Sequence, residues 1–186
     1  MRRFIYNLVS VAFSAVKFGL LKLFHFRHFF YRGIQRFSPD TEVVISEKGT
    51  IRLGRHVRAH RRSKLQAFES GTLEIGDDTA LGSGVSIHCM EKIVIGRGVQ
   101  IGPDTKIYDH DHDFRAPGGI GAGKFLASPV VIGNNTWIGC NVVILRGTTI
   151  GSNCVVAAGS VLKGSYPDNT RIVQKRVTEA TPYPAE

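Results

Sequence analysis

A repeat of six residues runs through the centre of the chain and restricts its fold more than any other feature. An aliphatic residue opens each of eleven hexads, and Gly follows it in seven. A six-residue period fits neither an α-helix nor a flat two-sided sheet, but it fits short strands joined by tight turns, three to a coil. The hexads are IGDDTA (75–80), LGSGVS (81–86), IHCMEK (87–92), IGRGVQ (95–100), IGPDTK (101–106), IYDHDH (107–112), IGNNTW (132–137), IGCNVV (138–143), ILRGTT (144–149), IGSNCV (150–155) and VAAGSV (156–161).

The stretch WIGCNVVILRGTTIGSNCVVAAGSVLKGSYPDNT (137–170) resembles the closing coils of the hexapeptide-repeat acyltransferases, in their polysaccharide and sugar O-acetyltransferase branch. The resemblance covers about residues 73–173 and implies a mainly β chain folded as a left-handed parallel β-helix. It also implies a homotrimer with active sites in clefts between neighbouring coils. Acetyl-CoA is then the acyl donor, and no metal is expected.

The repeat breaks between Tyr108 and Val131, and the break carries Asp109-His110-Asp111-His112-Asp113 followed by a glycine-rich extended loop at about 113–131. In an extended segment the two histidines point to one side, about 7 Å apart, and the aspartates to the other. A neutral imidazole suits the removal of a proton from an attacking hydroxyl, with no acyl-enzyme required. We therefore expect the catalytic base here.

The resemblance ranks His112 ahead of His110. In the galactoside and maltose branches the catalytic His stands five residues after the last aliphatic position of the preceding hexad, and counting from Ile107 reaches His112. Asp113 then resembles the Asp of a His-Asp pair. A one-step difference in the turn would select His110 instead.

Other site residues follow from the same resemblance. The substrate-binding set comprises Trp137, Asn135, His88 and Asp109, with Trp137 at the wall of the cleft near the thioester, and the backbone lining the coenzyme arm comprises Ala157, Ala158, Gly159 and Ser160. Relatives often carry an Asn where His88 stands, which leaves that acceptor contact in doubt. Lys163, Lys175 and Arg176 are expected phosphate partners.

The net charge of +9 is concentrated in the first third of the chain. Residues 1–39 hold seven Lys/Arg and no acid, and residues 52–64 (Arg52 to Lys64) hold six more. The remainder is mildly acidic, and the basic segment lacks any nucleic-acid-binding motif, so we expect no nucleic acid partner. Three cysteines without a CxxC pair predict buried, reduced thiols and a cytoplasmic protein.

Residues 4–37 lack Pro and are rich in Phe, Leu, Val and Ile, which predicts one long helix. A narrow polar stripe follows steps of three or four: Asn7, Ser10, Ser14, Lys17, His25, His28, Arg32 and Arg36, with Leu21 in the gap. A membrane-spanning helix, a secretory signal and an in-plane membrane helix compete, with packing on the protein's own body as the plain alternative. The in-plane helix is favoured, with Arg52–Lys64 as a second anchor.

These expectations divide the chain into four parts. Residues 1–38 form an amphipathic, basic membrane-surface helix, 39–72 entering coils, 73–173 the catalytic β-helix and 174–186 a flexible tail. The predicted protein is an acetyl-CoA-dependent O-acetyltransferase. It acts on a cell-surface polysaccharide or lipid-linked glycan, peripherally bound to the inner face of the cell membrane. Two alternatives stay open: a zinc protein like the γ-class carbonic anhydrases, drawing on His88, His110 and His112, and a non-catalytic scaffold recruited to a membrane.

Overall fold

Three parallel sheets wrap around one apolar interior in the computed structural model, which describes residues 2–46, 48–175 and 177. Each turn of the chain adds one strand to each sheet, giving sheets of seven, seven and six strands. The predicted fold, a left-handed parallel β-helix with an N-terminal helix, is confirmed.

Six complete coils and part of a seventh follow helix α1 (Arg2–Phe24). The strands of the first four coils are β1 (Phe29–Tyr31), β2 (Arg36–Phe37), β3 (Glu42–Ile45), β4 (Thr50–Leu53), β5 (Arg58–Ala59), β6 (Lys64–Ala67), β7 (Thr72–Ile75), β8 (Ala80–Leu81), β9 (Ser86–Cys89), β10 (Lys92–Ile95), β11 (Gln100–Ile101) and β12 (Lys106–Tyr108). After the hairpin β13 (His110–His112) and β14 (Phe125–Ala127) come β15 (Val130–Ile132), β16 (Trp137–Ile138), β17 (Val143–Ile144), β18 (Thr149–Ile150), β19 (Val155–Val156), β20 (Val161–Leu162), β21 (Ser165–Tyr166) and β22 (Arg171–Ile172).

The aliphatic residue of each hexad points into the interior, as the repeat predicts. On the first sheet Ile75, Ile95, Ile132 and Ile150 are in register and at most 2% exposed. Burying a side chain of this size contributes about 1.5–3 kcal/mol, so every coil adds its own share of stability. Gly139 shows why a corner excludes a side chain, because a Cβ there would lie 2.6 Å from the backbone nitrogen of Ala158.

The first coils are longer than the later ones, and this hides their repeat. Phe29 pairs with Ile51 and Ile51 with Leu73, a step of 22 residues, whereas Ile132 pairs with Ile150, a step of 18. Four-residue strands such as β4 and β7 take up the extra length. The coil stack therefore begins at Phe29, inside the segment predicted as helix and ahead of the predicted entering coils.

Helix α1 ends at Phe24, so the helix predicted over residues 4–37 is too long. Phe29 and Phe37 instead point into the first coil, where both rings contact the fully buried ring of Phe18 at 5.1 and 4.8 Å between centroids. Three buried aromatic rings stabilise this end of the stack more than further helix would. Helix α1 thus caps the first coil.

The polar stripe of α1 faces the protein. The Tyr6 hydroxyl donates to Ser38 Oγ at 2.6 Å, and Ser14 Oγ accepts from the backbone N–H of Phe37 at 2.8 Å. The apolar face of α1 points outward. By length and composition alone α1 is able to cross a membrane, the one such helix in the described residues.

The predicted loop is present and lies between two short strands, since β13 pairs antiparallel with β14 and a short 3-10 turn, Gly119–Ala122, lies between them. The expectation that all three cysteines are buried is wrong. Cys89 and Cys154 are buried, but Cys140 is exposed because it lies at a corner of the coil.

The basic cluster 52–64 is not one free surface. Arg55 and Arg32 both contact Asp77, and Lys64 lies 3.1 Å from Glu42. Arg52 covers the ring of Phe30, the strand neighbour that precedes it by one coil. Only part of the cluster is therefore left to meet a partner.

Candidate active site

Asp109 follows β12 and is fully buried, so it does not contact an acceptor as predicted. Its carboxylate accepts the backbone N–H of Met90 at 2.9 and 3.1 Å and that of Glu91 at 2.8 Å. Burial alone would raise the pKa of Asp109, but hydrogen bonds from His110, Met90 and Glu91 outweigh it and hold the pKa below its ordinary value. Asp109 is therefore a buried carboxylate with a fixed orientation.

His110 is oriented by this carboxylate. Its Nδ1 lies 3.0 Å from Asp109 Oδ1, and its side chain is 15% exposed. Because the carboxylate only accepts, the fitting tautomer carries its proton on Nδ1 and leaves Nε2 as the acceptor. The rings of Tyr108 and Phe125 meet the imidazole edge-on and fix its plane.

His112 lies on the same side of β13, as predicted, since both imidazoles contact Phe125. It is exposed, and its ring lies 4.7 Å from that of Phe125. Among the described residues no carboxylate forms an ion pair with it; Asp111 pairs with Arg146 at 2.6 Å instead. The geometry thus favours His110 over His112 as the oriented base, the reverse of the order expected from the resemblance.

His88 lies next to this pair, on the outer face of the third sheet. Its strand neighbour is Tyr108, whose ring lies 5.0 Å away, and Phe68 stacks on the other side at 6.5 Å. Burial, followed by the neighbouring His110 and Lys64, lowers the pKa of His88, which favours the neutral imidazole. Its Nε2 is 2.8 Å from Ser86 Oγ. His88, which is predicted to contact the acceptor, therefore lies near His110, with the ring of Tyr108 between them.

A cavity of about 390 Å³ lies around Trp137 at the corner between the second and third sheets. Ala157, Ala158 and Cys140 line it, so the structure brings Trp137 together with part of the predicted coenzyme segment. Gly159 and Ser160 shape the corner instead: the Gly159 N–H donates to the carbonyl of Cys140, and Ser160 Oγ donates to that of Ala157.

Asn135 does not line this cavity. It occupies a corner with φ of +54°, a left-handed conformation that Asn tolerates. Its side chain donates to Asn153 at 3.5 Å, and Asn153 donates to Asn169 at 3.2 Å. This ladder of amides at successive corners accounts for an Asn at position 135 without the predicted contact with a substrate.

The predicted phosphate partners are only partly described. Lys163 and Lys175 are exposed near the end of the stack, and Arg176 lies outside the described residues.

Within residues 2–46, 48–175 and 177, no group of three or more His, Cys, Asp or Glu side chains is arranged to hold a metal ion.

Two residues of the site were missed at the sequence level. Phe125 contacts both histidines only because β14 returns to β13, and the intervening twelve residues hide that pairing from a six-residue repeat. Cys140 reaches the Trp137 cavity because it stands at a corner. For Phe125, the only signal in the sequence is the interruption of the hexads at Tyr108.

The closing coils match a protein-family model. Residues 129–164 match the bacterial transferase hexapeptide (six repeats) family. A comparison of the sequence with curated proteins returned no match. The family match covers the coils that follow one another at a regular step of 18 residues.

Solved structures resemble a larger share of the chain. A hexapeptide-repeat acetyltransferase, VCA0836 from Vibrio cholerae O1 biovar eltor, complexed with acetyl coenzyme A, is 28% identical with a TM-score of 0.56, over 85% of this chain and 71% of that one. AntD, an N-acyltransferase from Bacillus cereus in complex with dTDP and 3-hydroxybutyryl-CoA, is 22% identical with a TM-score of 0.63, over 74% of each chain. The polySia specific acetyltransferase NeuO is 20% identical with a TM-score of 0.52, over 82% of this chain and 87% of that one. The last two similarities show the fold alone.

Proposed function

We propose that this protein is an acetyl-CoA-dependent O-acetyltransferase in which His110 is the general base. The observation that carries the proposal is the His110–Asp109 pair at the interruption of the repeat, with Nδ1 committed to a buried carboxylate and Nε2 left to accept a proton. The acetyl-CoA complex of the 28% identical acetyltransferase supports the choice of donor.

The reaction needs one proton to be moved twice. Nε2 of His110 takes the proton of an acceptor hydroxyl as its oxygen attacks the thioester carbonyl, and the same proton then goes to the departing thiolate. The carbon–sulfur bond breaks as the ester bond forms, so no covalent enzyme intermediate is involved. Asp109 stabilises the imidazolium between the two steps.

The donor site and the base come from two subunits of a homotrimer in this proposal. The Trp137 cavity lies where the chain enters the third sheet, and His110 lies where it leaves that sheet, in the preceding coil. None of the residues that line the cavity is a histidine. A neighbouring subunit that presents its cavity to His110 would complete the site, with Lys163 and Lys175 near the coenzyme phosphates. Arg176 stays a phosphate partner expected from the sequence.

The acceptor proposed is a sugar hydroxyl of a surface polysaccharide or of a lipid-linked glycan precursor at the cytoplasmic face of a membrane. Near His110, the outer face of the third sheet offers the half-buried imidazole of His88, whose Nε2 lies 2.8 Å from Ser86 Oγ, as a polar partner for hydroxyl groups. Among the proteins of similar fold, AntD has a structure with bound dTDP-4-amino-4,6-dideoxyglucose and NeuO is polySia specific, which supports a saccharide class of acceptor.

Two single variants test the base. We expect His110→Ala to lower the rate of thiol release from acetyl-CoA in the presence of acceptor by at least about 10³-fold, whereas His112→Ala lowers it less than about tenfold. Mass spectrometry of the product and its lability to hydroxylamine identify an ester. The reverse ranking would show that His112 is the base, and an alkali-stable amide product would contradict O-acetyl transfer.

A further inference from the structure

The outer face of α1 is an apolar surface without a partner in the described chain. Nine of its large apolar side chains are exposed by more than a third, among them Phe4 at 73%, Val16 at 66% and Leu23 at 70%. Phe26, directly after the helix, is 64% exposed. A continuous apolar surface of this kind marks a contact with another molecule or with a membrane.

The two lysines of residues 4–24 lie at the edge of this face, where Lys17 Nζ is 5.8 Å from the centroid of the Phe13 ring, and both ammonium groups are held by backbone carbonyls. Lys17 Nζ donates to the carbonyl of Thr41, and Lys22 Nζ donates to those of Phe26 and Phe29 at 2.9 and 3.0 Å. Because these are the only charged residues between Phe4 and Phe24, the outward face carries no charge along its length.

Basic side chains border the same face. The guanidinium of Arg61 lies 5.0 Å from the ring of Tyr6, and that of Arg52 lies 4.5 Å from Phe30, whose ring also meets Lys22. Arg27 is exposed just after the helix. The first acid in the sequence is Asp40, near Arg61, so the border is predominantly positive.

We propose that α1 docks the protein on an anionic lipid bilayer, lying in the membrane plane with its polar stripe bound to the first coil and its apolar face among the acyl chains. The apolar face matches the hydrocarbon boundary, and the basic border matches anionic headgroups. A second copy of this chain fits less well, because pairing two such faces would bring the positive borders together.

A spanning arrangement also fits less well. To cross the bilayer, α1 would have to give up the hydrogen bonds from Tyr6 to Ser38 and from Phe37 to Ser14. It would also uncover Phe18, which is fully buried against the first coil. In-plane docking keeps all of these contacts.

Docking by the cap places the site above the membrane. His110 follows the fourth coil, three strand spacings or about 14 Å from the coil that α1 covers. At about 14 Å from the docked coil, His110 is accessible both to acetyl-CoA from solution and to the headgroup of a lipid-linked acceptor. This consequence rests on the proposed function, whereas the docking itself does not.

Flotation of the full chain with vesicles tests the docking. We expect recovery with vesicles of equal parts phosphatidylcholine and phosphatidylglycerol, and at least tenfold weaker binding to pure phosphatidylcholine or at high salt. The folded variant Leu8→Gln/Val16→Gln/Leu23→Gln loses at least tenfold in binding, and Arg27→Gln/Arg52→Gln loses the salt dependence. Val173→Gln, an exposed change beyond the last strand, leaves binding unchanged.

Depth and oligomeric state separate this mode from its competitors. A Trp introduced as Val16→Trp near the middle of α1 should be quenched most by lipids brominated close to the headgroup. Quenching deepest at the bilayer centre, self-association through the α1 face without vesicles, or full vesicle binding by the triple-Gln variant would each overturn the proposal. Should the triple-Gln variant fail to fold, the quenching decides alone.

Measuring acetyl transfer with soluble and with vesicle-bound acceptors separates the failure of membrane docking from the failure of the proposed function. The triple-Gln variant is expected to retain wild-type turnover with a soluble sugar acceptor and to lose turnover only with vesicle-bound acceptor. Vesicle binding without any acetyl transfer would overturn the proposed function and leave the docking supported.

Discussion

At the scale of single residues, contact with Asp109 distinguishes His110, the proposed base, from His112. It is buried, it accepts three backbone hydrogen bonds, and His110 is its side-chain partner at 3.0 Å. We expect Asp109→Asn to lower kcat by about 10²–10³-fold with little change in KM, because an amide no longer fixes the tautomer or stabilises the imidazolium. Steady-state kinetics with acetyl-CoA check this. An unchanged kcat would remove Asp109 from the mechanism.

The same carboxylate makes stability depend on pH. Its folded pKa lies below the ordinary 3.8, so the unfolded chain binds a proton more readily and folding is favoured by ionisation. The contribution is complete well above pH 3.8 and is lost as the pH falls through the folded pKa. Wild type should therefore exceed Asp109→Asn by about 2 kcal/mol at pH 7, with the gap closing below pH 3.8. Denaturant unfolding at both pH values measures the gap, and a gap independent of pH would contradict the assignment.

At the scale of elements, α1 is held by buried hydroxyls with unequal roles. Ser14 Oγ accepts the N–H of Phe37 at 2.8 Å, whereas Ser10 Oγ is the one buried side-chain oxygen or nitrogen of the described residues without a partner. Ser14→Ala should destabilise the fold by about 1–3 kcal/mol, because it leaves a buried N–H unsatisfied. Ser10→Ala is the matched control and should be neutral or stabilising. Thermal unfolding of the two variants compares them, and equal losses would contradict the role of Ser14.

Some elements of the fold are predictable from the sequence alone and others are not. The eleven hexads predict the coils and their inward residues, because a six-residue period with one aliphatic position has few structural solutions. The two coils before β7 escape the period, since their 22-residue steps displace each aliphatic residue from its place. The order of His110 and His112 depends on where the buried Asp109 finds the N–H groups of the preceding coil, and that contact joins residues 18 and 19 positions apart.

The polar stripe of α1 is a second feature that the sequence predicts only in part. Its spacing predicts a two-faced helix correctly, but spacing does not say which face meets the protein. In the structure the stripe contacts the first coil through Ser14 and Lys17, and this is possible because the open end of a coil presents unpaired backbone groups such as the N–H of Phe37.

At the scale of the whole molecule, the six coils form one stack with an apolar cap at the bottom and a partial seventh coil at the top. His110, the proposed base, follows the last strand of the fourth coil, and the Trp137 cavity spans the fourth to sixth coils at the opposite end of the strands of the third sheet. A cyclic trimer of such stacks would place three caps at one end, so that three weak docking faces act together.

The trimer with shared sites makes a prediction that a single-chain site does not. His110→Ala removes the base, and Ala158→Arg fills the Trp137 cavity, so each variant alone should be inactive. When the two are unfolded together in equal amounts and refolded, one neighbouring pair in four joins an intact base to an intact cavity, and about a quarter of wild-type activity should return. Mixing without unfolding is the control and should restore none. If each site were built within one chain, no mixture would recover activity, since no chain would carry both intact parts.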